Sequence, residues 1–114
     1  MTFRFADNPF ALPDDAGVRT VRVAAGLDKE QLLTTLAAQL EFPAYFGRNW
    51  DAADECLRDL SWIPERRVRL LHAELPAVSV YLAILRDALV YWQGSPEHQL
   101  EVVFPSAERA RVGT

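Results

Sequence analysis

The chain has 114 residues, one cysteine and a net charge of −4, and half of its residues are hydrophobic. That is enough apolar material for one domain with its own core, and too much for a disordered chain. A lone Cys56 excludes an internal disulfide and any multi-cysteine zinc site. No apolar run approaches the ~20 residues that span a bilayer, and Met1-Thr2-Phe3-Arg4 does not open the apolar stretch of a secretory signal, so a cytoplasmic protein is expected. The charge is unevenly spread. Between Leu27 and Leu60 seven acids face three bases, so this segment holds the entire net charge, while the rest of the chain balances. Such a region repels phosphate and attracts a basic partner.

In chain order, residues 1–17 contain Pro9, Pro13, Asp14, Asp15 and Gly17 and read as an irregular arm, with room for a short edge strand at Phe3-Arg4-Phe5. Val18 to Ala25 alternates around Val21 and Val23 and predicts a strand. The first helix starts at Asp28, with Gln31 in the capping-box position and Leu27 and Leu32 as the hydrophobic staple. Leu32, Leu33, Leu36, Ala37 and Leu40 form its apolar stripe, and Pro43 stops it.

Tyr45-Phe46-Gly47 predicts a turn, and Asn49 caps a second helix running to about Leu60. On a helical wheel at ~100° per residue, Trp50, Ala53, Cys56, Leu57 and Leu60 share one side. Asp51, Asp54, Glu55 and Asp59 share the other, with Arg58 among them. Val68 to Ala73 predicts the next strand, and a turn or short helical piece follows at Glu74 to Val78. A long helix over Ser79 to Gln93 is apolar nearly all round, which predicts extensive burial. Leu100 to Phe104 predicts a last strand, and residues 106–114 a frayed tail. Strands alternating with helices imply an α/β fold: a small three-stranded parallel sheet flanked by about four helices, formed by residues 18–105.

The acidic face of the second helix is the main chemical signal. Like charges at helical spacing cost ~0.2–0.5 kcal/mol per pair. The face is either simply solvated or shaped for a cationic partner. Asp87 adds to it, because Arg86 and Asp87 are the only charged residues between Leu75 and Pro96. Tyr45 and Phe46, beside the acids, are residue types that anchor interfaces. There is no phosphate-cradling Gly-rich loop and no zinc-protease motif. His72, inside a strand, and Cys56, on an apolar helix face, read as core, and His98 has no evident partner. Neither a metal nor a cofactor is expected. Asp51 and Glu55 could serve as acid and base in a small hydrolase, but nothing in the sequence supplies a pocket. Two helices joined by a glycine-containing turn also outline a DNA-binding motif, but the acidic second helix has the wrong sign.

The run Leu40-Glu41-Phe42-Pro43-Ala44-Tyr45-Phe46-Gly47-Arg48-Asn49-Trp50-Asp51-Ala52-Ala53-Asp54-Glu55-Cys56-Leu57-Arg58-Asp59-Leu60 resembles the characteristic segment of barstar-like proteins. These are intracellular inhibitors of barnase-type ribonucleases. The resemblance implies a three-stranded parallel sheet with flanking helices, no catalytic activity, and a second helix and preceding turn that enter the ribonuclease active site in place of RNA phosphates. It places Tyr45, Phe46, Gly47, Asn49, Asp51, Asp54, Glu55, Asp59 and Asp87 at the partner interface. Tyr45 would stack on the enzyme, Glu55 would take the central acid's place, usually Asp, and Asp87 would be an auxiliary acid. Asp54 stands where the best-known member has Trp, and Asp59 where it has Gly. These departures leave open an immunity protein against a different basic toxin.

Overall fold

The computed structural model describes residues 3–43, 47, 49–95 and 98–112. Its strands are β1 (Arg4–Ala6), β2 (Val18–Val23), β3 (Arg67–His72) and β4 (Gln99–Pro105). Its helices are α1 (Lys29–Gln39), α2 (Trp50–Asp59), α3 (Ser79–Gln93) and a short α4 (Arg109–Val112). The strands form one parallel sheet in the order β1-β4-β3-β2. The expected α/β class holds, but the sheet has four strands among the described residues rather than three. The addition is β1, at the edge and one residue on from the short edge strand for which the arm has room at Phe3-Arg4-Phe5; it is only three residues long, too short to show alternation, and its partner β4 lies near the other end of the chain.

Local chemistry accounts for the helix ends. Asp28 and Gln31 form the reciprocal capping box, with Gln31 N–H donating to Asp28 Oδ1 at 2.8 Å and Asp28 N–H to Gln31 Oε1 at 3.0 Å. Two indoles serve the other ends. Trp62 Nε1 donates to the Leu40 carbonyl at 2.8 Å and Trp92 Nε1 to the Leu57 carbonyl at 2.7 Å, satisfying orphan acceptors of α1 and α2. The segment between β3 and α3 is a pair of bends with no helical turn, so the short helix allowed there does not form.

Alternation along the strands defines two faces. Val21, Val23, Leu70, Val102 and Phe104 join the core with Leu32, Leu36 and Leu40 of α1, Leu57 and Leu60, and the inner side of α3. Leu71 and Val103, at the alternate positions, are fully buried too. Their cover is the segment expected to be an irregular arm. A 3-10 turn at Pro9–Ala11, with Pro9 buried, packs against β3 and β4. A parallel sheet needs both faces covered, and the arm performs for one face what three helices do for the other. It is fastened by Phe3 edge-on to Phe104 at 5.3 Å, and by Arg69, which pairs with Glu101 at 2.8 Å and Asp15 at 3.5 Å. The tail also differs from expectation. Ser106–Glu108 and α4 form helical turns, because Glu108 accepts the Leu75 N–H at 2.7 Å and Val112 is buried. No helix among the described residues is long and apolar enough to cross a membrane.

His72 is a core residue, as its position in a strand suggests. Its Nδ1 donates to the Val103 carbonyl at 3.0 Å and its Nε2 accepts from the Tyr81 hydroxyl at 2.6 Å, while Phe104 stacks on the ring at 4.4 Å. A carbonyl can only accept, which fixes the neutral tautomer with the proton on Nδ1. Burial lowers the pKa from 6.5 to about 4. Between these values the unfolded chain binds a proton that the folded chain refuses, so stability rises with pH across this window and is lost on acidification. Wild type should therefore lose about 3 kcal/mol between pH 6.5 and 4 relative to His72→Gln, which carries no such proton. Urea titrations of both proteins across that range measure the difference, and parallel curves would refute it.

The outer edge of β2 is sealed by a side chain. Gln39 Oε1 accepts the Arg22 N–H and Gln39 Nε2 donates to the Arg22 carbonyl, both at 2.9 Å. The amide thus makes the two bonds that a neighbouring strand would make. Gln39→Ala should cost about 2 kcal/mol, near 1 kcal/mol per bond, and leave the edge open to another chain. Sedimentation at rising concentration should show self-association in the variant and none in wild type.

Candidate functional site

The acidic helix is fixed at both ends. Asn49 Oδ1 accepts the Ala52 N–H at 2.8 Å, and Asn49 Nδ2 donates to the Gly47 carbonyl at 3.4 Å. A Cβ added at Gly47 would stand 3.0 Å from that Nδ2 and press on the cap. Both residues, expected at the partner interface, thus have a defined part in starting the helix. At the far end Leu60 takes a left-handed conformation, φ 50°, and its N–H donates to the Cys56 carbonyl at 3.1 Å. A leucine tolerates this strain, worth roughly 1–2 kcal/mol, because its side chain is buried in the core.

Between these ends the wheel resolves as expected. Ala53, Cys56 and Leu57 are buried and Trp50 is half-buried, while Asp51, Glu55 and Asp59 are exposed. The inner side rests on α3, and the two helices run parallel. Trp50, at the start of α2, lies 6.1 Å from Tyr81 near the start of α3, and Leu57 is bonded to Trp92 near its end. The Cys56 thiol pKa is pushed up by burial and then by Asp59 and Glu55, so it is a poor nucleophile.

Asp51, Glu55 and Asp59 follow one another at four-residue spacing along the outer face. Among the described residues none of the three makes an ion pair. Asp51 profits from the positive end of the helix dipole, whereas Asp59 stands at the negative end. Two like-charged neighbours and an acid at the wrong end oppose folding locally, and no ion pair of these carboxylates with another described residue compensates. Such local conflict is typical of a surface kept for another purpose. Asp54 differs from the other three. Its carboxylate accepts from Arg58 at 3.2 Å, an i,i+4 pair on the same helix. Asp87 is exposed on α3, between the levels of Tyr81 and Trp92. Its neighbour Arg86 pairs with no acid among the described residues; it donates to the Val112 carbonyl at 2.6 Å and lies over the Phe3 ring. Tyr45 and Phe46 lie outside the described residues.

The outer side of α3 was not anticipated. Val80, Val90 and Tyr91 are exposed by 39%, 64% and 54%, although the apolar character of the helix predicts extensive burial. Sheet and α2 cover less than its full circumference, and fifteen residues with almost no charge already signalled more apolar surface than one small sheet could bury. A cleft of about 390 Å³ lies elsewhere, at the N-terminal edge of the sheet, lined by Arg4, Arg67, Arg69, Trp92, His98 and Glu101 among others. None of the five acids Asp51, Asp54, Glu55, Asp59 and Asp87 lines it. The ring of His98, for which the sequence shows no partner, rests against Trp92 at 5.1 Å.

No curated protein and no solved structure matches the chain. A family model described as Barstar (barnase inhibitor) matches residues 16–105, leaving outside it β1 and the 3-10 turn that covers the second sheet face. With most of its length matched, from before β2 to the end of β4, the chain belongs to the Barstar family.

Proposed function

We propose that this protein is a cytoplasmic, non-catalytic inhibitor of a barnase-type ribonuclease, and that α2 with the preceding turn occupies the basic active site of the enzyme. One observation carries the reading: Asp51, Glu55 and Asp59 form an uncompensated row of carboxylates on a helix held at both ends. Carboxylates at this spacing can accept from the arginine and lysine side chains that otherwise bind RNA phosphates. A rigid helix loses little entropy on docking, which favours tight binding. Tyr45 and Phe46 would close one rim of the site and Asp87 would add a charge from α3.

A second reading is an immunity protein against another basic toxin. The Asp54–Arg58 pair favours it, since it sets a cation inside the acidic face, where a wholly basic cleft would meet repulsion. Inhibition assays against a panel of barnase-type ribonucleases, barnase included, separate the two readings. Stoichiometric inhibition of at least one member is expected, and inhibition of none would overturn the first reading.

Two outcomes follow for the complex. Glu55→Ala, at the centre of the row, should weaken binding by about 2–5 kcal/mol, because it strands a desolvated cation in the partner. Its thermal midpoint should stay level or rise slightly, since the exposed carboxylate has no ion pair among the described residues and repels Asp51 and Asp59. A loss under about 0.5 kcal/mol in calorimetry would remove Glu55 from the centre. Association should also slow with salt. Complementary charges steer encounter, and physiological salt screens them beyond about 8 Å. Stopped-flow rate constants that stay flat between low and high ionic strength would show that the acids do not guide the partner.

A further inference from the structure

The cleft of about 390 Å³ has a simple origin in the sheet. Arg4, Val18, Arg67 and Gln99, the first residues of the four strands, all line it, and Leu89 and Trp92 line it from the end of α3. β1 pairs only with Val103 to Pro105 of β4, so on that side Gln99 to Val102 have no neighbouring strand among the described residues. The missing strand length leaves the gap.

Alternation gives the gap two unlike sides. Arg67, Arg69 and Glu101 belong to the face that the N-terminal arm covers. Glu101 Oε1 accepts from Arg4 at 3.0 Å and from Arg69 at 2.8 Å, and Arg69 also donates to the Pro13 carbonyl at 3.4 Å and pairs with Asp15 at 3.5 Å. The buried Arg69 is thus committed to holding the arm. Arg67 is exposed and makes no ion pair among the described residues. Three guanidiniums against the carboxylates of Glu101 and Asp15 leave one positive charge here, in a chain whose total is −4. The α3 side is apolar: Leu89 and Leu100 stand there, with the rings of Trp92 and His98 5.1 Å apart.

These two sides select a ligand. A guanidinium with its donors unused matches the oxygens of a phosphate. The carbonyls that end α3 carry the negative end of its dipole, which repels an anion and accepts from N–H groups. The volume lies in the range of sites that enclose small molecules. We propose that the cleft binds a small phosphorylated molecule with a flat, nitrogen-bearing body, of the class of a nucleoside monophosphate, with the phosphate on Arg67 and the base beside His98 and Trp92. None of the acids assigned to the ribonuclease lines the cleft, so this binding does not rest on the inhibitor reading.

Titration of adenosine monophosphate, inorganic phosphate and adenosine into isotope-labelled protein tests it, with the Trp92 indole N–H and the amides of Gln99 to Val102 as reporters. Adenosine monophosphate should shift these signals with a Kd below about 1 mM, and either half-ligand should bind at least about 10-fold more weakly. Arg67→Gln loses no ion pair, so it should melt like wild type while binding the nucleotide about 10–100-fold more weakly. Arg66→Gln removes the neighbouring arginine, which does not line the cleft, and should bind like wild type. Reporter signals that stay fixed at millimolar nucleotide overturn the proposal. So do equal losses in the two arginine variants, which mean unspecific attraction, and inorganic phosphate that binds as tightly as the nucleotide, which means an adventitious ion only.

Discussion

The burial of one side of α2 against α3 is the contact on which the rest of the molecule's surface depends. A helix of ten residues is marginal alone in water, and this one carries repelling acids at four-residue spacing. Its existence is decided by Ala53, Cys56 and Leu57 beneath it, with Leu60 just past its end, by the Trp50–Tyr81 contact at one end, and by the Trp92 hydrogen bond at the other. The dependence continues inward. α3 can support α2 only because Ile84, Leu85, Ala88 and Leu89 are themselves fixed on the sheet. The sheet in turn is closed on its second face by the N-terminal segment. The outermost layer, which is the least stable by itself, bears the chemistry.

Much of this was legible because the signals are local. The capping box of Asp28 and Gln31, the Asn49 cap, the two-sided pattern of α2 and the apolar run of the last strand depend on residues within a few positions of one another. What escaped depends on partners distant in sequence. β1 was legible only as room for a short edge strand at Phe3-Arg4-Phe5, because its place in the sheet comes from Arg4 to Ala6 meeting Val103 to Pro105, and the tail is ordered only because Glu108 reaches the Leu75 amide. The exposure of Val90 and Tyr91 likewise depends on how much of α3 the sheet and α2 can cover, which composition cannot specify. The Asp54–Arg58 pair is the opposite case: its i,i+4 spacing is local and present in the sequence, but so are the competing acids around Arg58.

The buried polar pair of His72 and Tyr81 shows how the core accommodates groups that would otherwise be costly. Each supplies what the other lacks, since the imidazole accepts what the phenol donates and its second nitrogen is used by a main-chain carbonyl. Tyr81 also touches Trp50, so the pair sits directly behind the first turn of the acidic helix. Replacing either member leaves a donor or acceptor stranded in an apolar setting, at about 1–3 kcal/mol.

The amide of Gln39 determines how wide the sheet can grow. By holding the main-chain groups of Arg22 it occupies the place of a fifth strand, using one residue where a strand would need several. The outer rim of β2 is thus a docking position blocked by a removable plug. A protein engineer who replaces that amide and appends a β-forming segment after a linker could extend the sheet on the side away from β1. The acidic helix would keep its own support on α3, so the protein could be tethered to a surface or a second domain through its far edge.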